Sequence, residues 1–133
     1  MAAEKLFENR IKVYLQSLGV YALGTPVQKM KVPPIGYWEK RFANKMTTSG
    51  LPDMHIVVYN QSIEVEIKAP NGKASELQKH MVDQINNSRC AACILYEHQK
   101  DIPDDGFEYY INYEQFQDTI QWYILRGSGY YAV

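Results

Sequence analysis

The decisive stretch reads Asp53-Met54-His55-Ile56-Val57-Val58-Tyr59, then Asn60-Gln61, then Ser62-Ile63-Glu64-Val65-Glu66-Ile67-Lys68. Two runs rich in β-branched residues, separated by two turn-forming ones, predict a hairpin. If Tyr59 pairs with Ser62, Asp53 faces Lys68, His55 faces Glu66 and Val57 faces Glu64. Period-two alternation then puts Met54, Ile56, Val58, Ile63, Val65 and Ile67 on one side. Asp53, His55, Glu64, Glu66 and Lys68 fall on the other. One side is a core face; the other collects ionisable groups at one end of the hairpin.

Working outward, Leu6, Phe7, Ile11, Tyr14, Leu15 and Leu18 recur at three- and four-residue intervals, and Gly19 follows where helices commonly end. A helix over about residues 3–18 is expected. Residues 20–30 alternate loosely enough for a strand, and Pro33-Pro34-Ile35-Gly36 opens an irregular segment reaching Gly50. On the other side of the hairpin, Ser75 with Gln78 forms a capping box, and Leu77, Met81, Val82 and Ile85 make the apolar stripe of a helix running to about Asn87. Residues 90–96 are short, apolar and continuous, as a buried central strand is. Residues 101–106 read as a loop, 107–111 as a strand, and 113–125 as a third helix ended by Gly127.

The 133 residues, 46% hydrophobic and 22% charged, fit a single domain spanning 1–133 and exclude both a disordered tail and an apolar membrane protein. No run approaches the roughly 18 apolar residues of a membrane helix, and Met1-Ala2-Ala3-Glu4-Lys5 lacks the apolar stretch of a secretory signal, so a cytoplasmic, intracellular protein without membrane partners is expected. Cys90 and Cys93 make no disulfide framework, and free thiols fit a reducing compartment. Their spacing is half of a zinc site without a second half, which leaves small buried strand residues as the competing reading.

The net charge of −1 is unevenly spread. Lys29, Lys31, Lys40, Arg41 and Lys45 stand between Pro26 and Pro52 against Glu39 alone, whereas from Asp101 onward the only base is Arg126. These are either opposite faces of one domain or ordinary solvated loops.

The chemistry concentrates where Asp53, Glu66 and Lys68 meet. Paired carboxylates repel unless a cation lies between them, and hard oxygen donors suit Mg²⁺ with several retained waters. A lysine beside them can stabilise a scissile phosphate or orient the attacking water. Taken alone, Glu66-Ile67-Lys68 equally fits an exposed sheet face with cross-strand ion pairs.

The ordered set Gly50-Leu51-Pro52-Asp53-Met54, then Glu64-Val65-Glu66-Ile67-Lys68-Ala69-Pro70, then Ser75-Glu76-Leu77-Gln78 resembles the PD-(D/E)XK nuclease superfamily. Within it the likeness is to the virus-type replication-repair nuclease domain, VRR-NUC, in its small stand-alone phage form, over about residues 8–96. The resemblance implies a restriction-endonuclease-like αβββαβ core, an α/β (α+β) arrangement with a central mixed sheet flanked by helices. It implies that Asp53 and Glu66 bind Mg²⁺ or Mn²⁺, with the backbone carbonyl of Ile67 as a further ligand. Lys68 would position water or neutralise the phosphate, and Gln78 would hold water or phosphate while also serving its cap. Glu8 matches the acid of the first helix that approaches the metal in resolvase-like members. Glu64 reads as a supporting charge, and His55 as either an auxiliary acid or base or a structural residue.

A duplex backbone must be gripped by cations if it is to be cut, which makes Lys40, Arg41, Lys45 and Lys73 the expected phosphate contacts. The resemblance implies a structure-specific DNA endonuclease leaving 5′-phosphate and 3′-hydroxyl ends, acting as a homodimer on branched DNA, chiefly four-way (Holliday) junctions, since a two-fold substrate suits a two-fold enzyme. The alternatives are a flap-, nick- or duplex-directed nuclease and a catalytically silent DNA-binding module. The aromatic C-terminal quarter, Tyr109, Tyr110, Tyr113, Phe116, Trp122, Tyr123, Tyr130 and Tyr131, is expected to form core plus an interface.

Overall fold

The computed structural model describes residues 3–42 and 48–129; Lys45, Tyr130 and Tyr131 lie outside them. The described chain forms three helices and one six-stranded mixed sheet: α1 (Ala3–Leu18), β1 (Val20–Ala22), β2 (Gly36–Lys40), β3 (Met54–Val58), β4 (Gln61–Ile67), α2 (Glu76–Asn87), β5 (Ala92–Tyr96), β6 (Tyr110–Asn112) and α3 (Tyr113–Gly127). The α+β class and flanked mixed sheet expected from the sequence are present.

Strand order follows chain order, β1-β2-β3-β4-β5-β6. The β2-β3-β4 meander is antiparallel, while β1 joins β2, and β5 and β6 join β4, in parallel. The alternation read in the hairpin separates the two faces as expected. Met54, Ile56, Val58, Ile63, Val65 and Ile67 pack with Phe7, Ile11 and Leu15 of α1 and Phe116 and Ile120 of α3. On the opposite side α2 lays Val82 against Ala92, Ile94 and Tyr96. Each such fully buried aliphatic side chain contributes roughly 1.5–3 kcal/mol.

Three local expectations are corrected. The hairpin register is shifted by two: Val58 faces Gln61, His55 faces Glu64 and Met54 faces Val65, with Tyr59-Asn60 as the turn. Tyr59 takes a left-handed φ of 54°. Long-range contacts select this turn: its ring lies against Gly127, where a Cβ would come within 2.3 Å, and the neighbouring Gln61 amide donates to the Tyr123 carbonyl at 2.7 Å. A shift of two keeps every side chain on its face, so the core is unchanged.

The segment expected to be irregular between Pro33 and Gly50 contains β2. Its Gly36 comes so close to β3 that a Cβ would stand 1.9 Å from the Val57 carbonyl oxygen; the glycine read as loop punctuation is the residue that lets the strand dock. The sixth strand starts at Tyr110 rather than Phe107, whose ring packs edge-on against Tyr109 and Tyr110.

Candidate active site

Asp53, Glu66, Lys68 and Gln78 come together at one end of the β3-β4 pair, on the face covered by α2. Asp53 immediately precedes β3, and its carboxylate Oδ2 accepts from the backbone N–H of Ile67 at 2.9 Å. Its carbonyl accepts from the Arg41 backbone N–H at 2.7 Å, which ties it to the end of β2. Glu66 sits on central strand β4 beside Ile94 of β5 and is 3% exposed. Central placement explains the burial: both neighbouring strands and α2 enclose it.

Glu66 Oε2 accepts from the Gln78 amide at 3.2 Å and lies 3.5 Å from the Lys68 ammonium. Its other oxygen, Oε1, is buried without a partner. Burial first, and then the Asp53 charge, push the Glu66 carboxyl up to about 8, against which Lys68 pulls downward. A buried acid beside a second acid is costly unless a cation is present, which makes this pair a candidate functional site.

Gln78 serves two structures at once. Its backbone N–H donates to Ser75 Oγ at 3.1 Å and its side-chain Oε1 accepts from the Ser75 backbone N–H at 2.9 Å, completing the capping box. The same Oε1 accepts from Lys68 at 3.0 Å. The helix cap therefore holds the amide in place between Lys68 and Glu66. The loop joining β4 to α2 is pinned from beneath by the Tyr96 hydroxyl, which donates to the Gly72 carbonyl at 2.6 Å.

Two adjoining carboxylates, one with a partnerless buried oxygen, are a donor set that fits Mg²⁺ or Mn²⁺, which are held by one or two carboxylates with waters completing the shell. Among the described residues no group of three or more His, Cys, Asp or Glu side chains gathers to hold a metal ion. Cys90 is exposed and Cys93 is buried in β5 with its thiol pushed up to about 12, so the pair is not assembled as half of a zinc site.

Glu8 is not brought to this pair. It is 2% exposed and belongs to α1, on the other face of the sheet, where Lys5, Lys12 and Lys40 hold its carboxylate. Burial would raise its carboxyl, but the three ammoniums override that and lower it to about 2. Lys40, expected at phosphate, is thus paired to Glu8. Arg41 is also engaged: it donates to the Pro52 carbonyl at 3.1 Å and meets Glu64, which in turn bonds His55. Glu64 is a supporting charge, bridging two residues that flank Asp53. Lys73 is exposed and lines a polar groove beside the N-terminus of α2.

The sequence reading missed Lys5 and Lys12. The signal was present, because they stand three residues before and four after Glu8, the spacing that stacks side chains on one helix face. The Arg41-Glu64 contact depended on the true register and had no local signal.

Comparison of the chain with models of protein families, with curated proteins and with solved structures finds no match in any of the three. What the site can do rests on its residues.

Proposed function

We propose that this protein is a divalent-metal-dependent DNA endonuclease of the PD-(D/E)XK kind, resembling the stand-alone VRR-NUC domains. The observation that carries the reading is the meeting of Asp53, Glu66, Lys68 and Gln78 around a buried carboxylate oxygen that has no partner. An ion-pair ladder on an exposed sheet face would not bury Glu66 or drive its carboxyl up to about 8.

In this reading Asp53 and Glu66 would hold Mg²⁺ or Mn²⁺, with the Ile67 carbonyl the further ligand that the resemblance implies, and the ion would make water a stronger nucleophile and screen phosphate charge. Lys68 brings a positive charge to the phosphate oxygen that gains charge on attack. Gln78 fixes where that ammonium sits through the 3.0 Å bond and steadies Glu66 through the 3.2 Å bond. The Ile67 backbone N–H orients the Asp53 carboxylate. The Arg41-Glu64-His55 network and the Arg41 backbone bond hold the segment leading into Asp53.

The substrate we propose is branched DNA, with four-way junctions cut by a homodimer, because symmetric incision needs two equivalent sites. Labelled four-way junctions, flaps and plain duplex incubated with protein and Mg²⁺, with light scattering for subunit number, test this. Symmetrical junction nicking by a dimer is the expected result. Flap preference by a monomer would replace the substrate assignment, and binding without cleavage of any of the three would remove the enzymatic reading.

A further inference from the structure

The lysines around Glu8 form a second charged feature, on the face of the sheet opposite the carboxylate pair. Lys5 and Lys12 lie 3.0 and 2.9 Å from Glu8 Oε2, and Lys40 reaches Oε1 from the end of β2. Lys12 is further fixed over the Trp38 ring, 5.2 Å from its centroid. Glu8 is almost sealed from solvent, whereas the side chains of Lys5, Lys12 and Lys40 remain 48%, 25% and 18% exposed. One buried negative charge thus anchors three ammoniums that still reach water, leaving a local excess of two positive charges on a chain whose net charge is −1.

The cluster's position gives this excess a use. Lys40 pairs with Met54, the residue after Asp53, so the cluster borders the same end of the strands as the candidate active site. A polyanion lying across that end meets both. The lysines have already lost much of their side-chain freedom to Glu8, so ordering them on a ligand costs less than ordering free surface lysines.

We propose that Glu8 is a positioning residue that holds Lys5, Lys12 and Lys40 as a contact for the phosphodiester backbone of DNA, away from the scissile phosphate. This reassigns Glu8 from metal approach to backbone grip and adds Lys5 and Lys12 to the DNA-binding surface. It rests on the nuclease reading for the identity of the polyanion, but not on metal binding or cleavage.

The test measures binding of a mixed-sequence DNA duplex in EDTA as a function of salt, for the wild-type protein, Lys5→Gln and Lys5→Gln/Lys12→Gln. Each lost phosphate contact flattens the slope of log affinity against log salt by about 0.9. Raising salt from 50 to 200 mM should therefore weaken binding by about 3.5-fold less for each lysine removed. Lys5→Gln leaves Glu8 with two cationic partners and serves if the double variant fails to fold. Cleavage by the wild type in Mg²⁺ reports separately on the enzymatic reading. Flattened slopes support the proposal whether or not the wild type cuts. Unchanged slopes in both folded variants, or no binding by the wild type, overturn it; unchanged slopes with intact wild-type cleavage leave the nuclease reading standing alone.

Discussion

Replacing Glu66 with glutamine should make the metal-free protein more stable at alkaline pH while depriving it of metal. Glu66 has an ordinary carboxyl value of 4.5 that burial and Asp53 push up to about 8 in the folded chain. Below 4.5 the acid is protonated both folded and unfolded, and it carries no penalty. As pH rises, the unfolded chain sheds this proton while the folded chain keeps it, so folded stability falls until the loss is complete above about 8. Full effect over that interval would be about 5 kcal/mol. Water entry and movement of Lys68 toward the carboxylate reduce it, and about 2–3 kcal/mol is expected. In Glu66→Gln the side chain carries no charge at any pH, so this loss is absent. Thermal melts of both proteins in EDTA should nearly coincide at pH 5 and separate by on the order of 10 °C by pH 8.5, with the variant higher. Saturating Mg²⁺ should then raise the wild type and leave the variant unmoved. A separation that stays flat from pH 5 to 8.5, or a wild type that is the more stable at pH 8.5 in EDTA, would refute the placement of Glu66 as a buried acid beside Asp53.

Lys68→Ala should abolish cutting of four-way junctions while leaving junction binding within a few-fold, read by gel assays with and without Mg²⁺; undiminished turnover would remove Lys68 from the mechanism. Ser75→Ala should cost about 1 kcal/mol in urea unfolding through loss of the bond from the Gln78 backbone N–H to Ser75 Oγ, while cleavage is largely kept because the Ser75 backbone N–H still holds Gln78 Oε1; Gln78→Ala, which removes the contacts to Lys68 and Glu66 as well, should slow cleavage, and an unchanged rate in that variant would show that the site does not depend on Gln78. Glu8, lowered to about 2, contributes stability that is present above its ordinary value of 4.5 and lost as pH falls toward 2, so Glu8→Gln should flatten the acid limb of the stability profile over that interval. Gly36→Ala should destabilise the fold by more than about 2 kcal/mol in chemical denaturation, because the added carbon has no space against the Val57 carbonyl; a near-neutral result would contradict the close approach of β2 to β3.

The parts of the fold written in short-range patterns were legible. The alternation in 53–68 put the right residues in the core, and Ser75 with Gln78 announced α2 and its cap. The meeting of Asp53, Glu66 and Lys68 was also legible, since face parity survives a register shift of two; Gln78 beside them was expected only from the resemblance. What failed depended on residues distant in the chain. Tyr59 enters the turn because Gly127 leaves room for its ring, and no local rule favours a tyrosine with positive φ there. Strand β2 was hidden by the prolines and glycine around it, and its glycine serves packing against β3. Glu8 was expected near the metal from the resemblance, and nothing local to α1 shows its partner Lys40 on β2.

Because the sheet is laid down in the sequence of its strands, the candidate site is confined to one unbroken stretch of polypeptide, from Asp53 to Gln78. Opening the chain at the exposed turn around Asp104-Asp105-Gly106 and rejoining its original ends by a linker would leave that stretch uncut. Such circular permutants offer a route to rewiring this molecule, in which the order of the outer strands can be changed while the residues of the candidate site travel together as a single cassette.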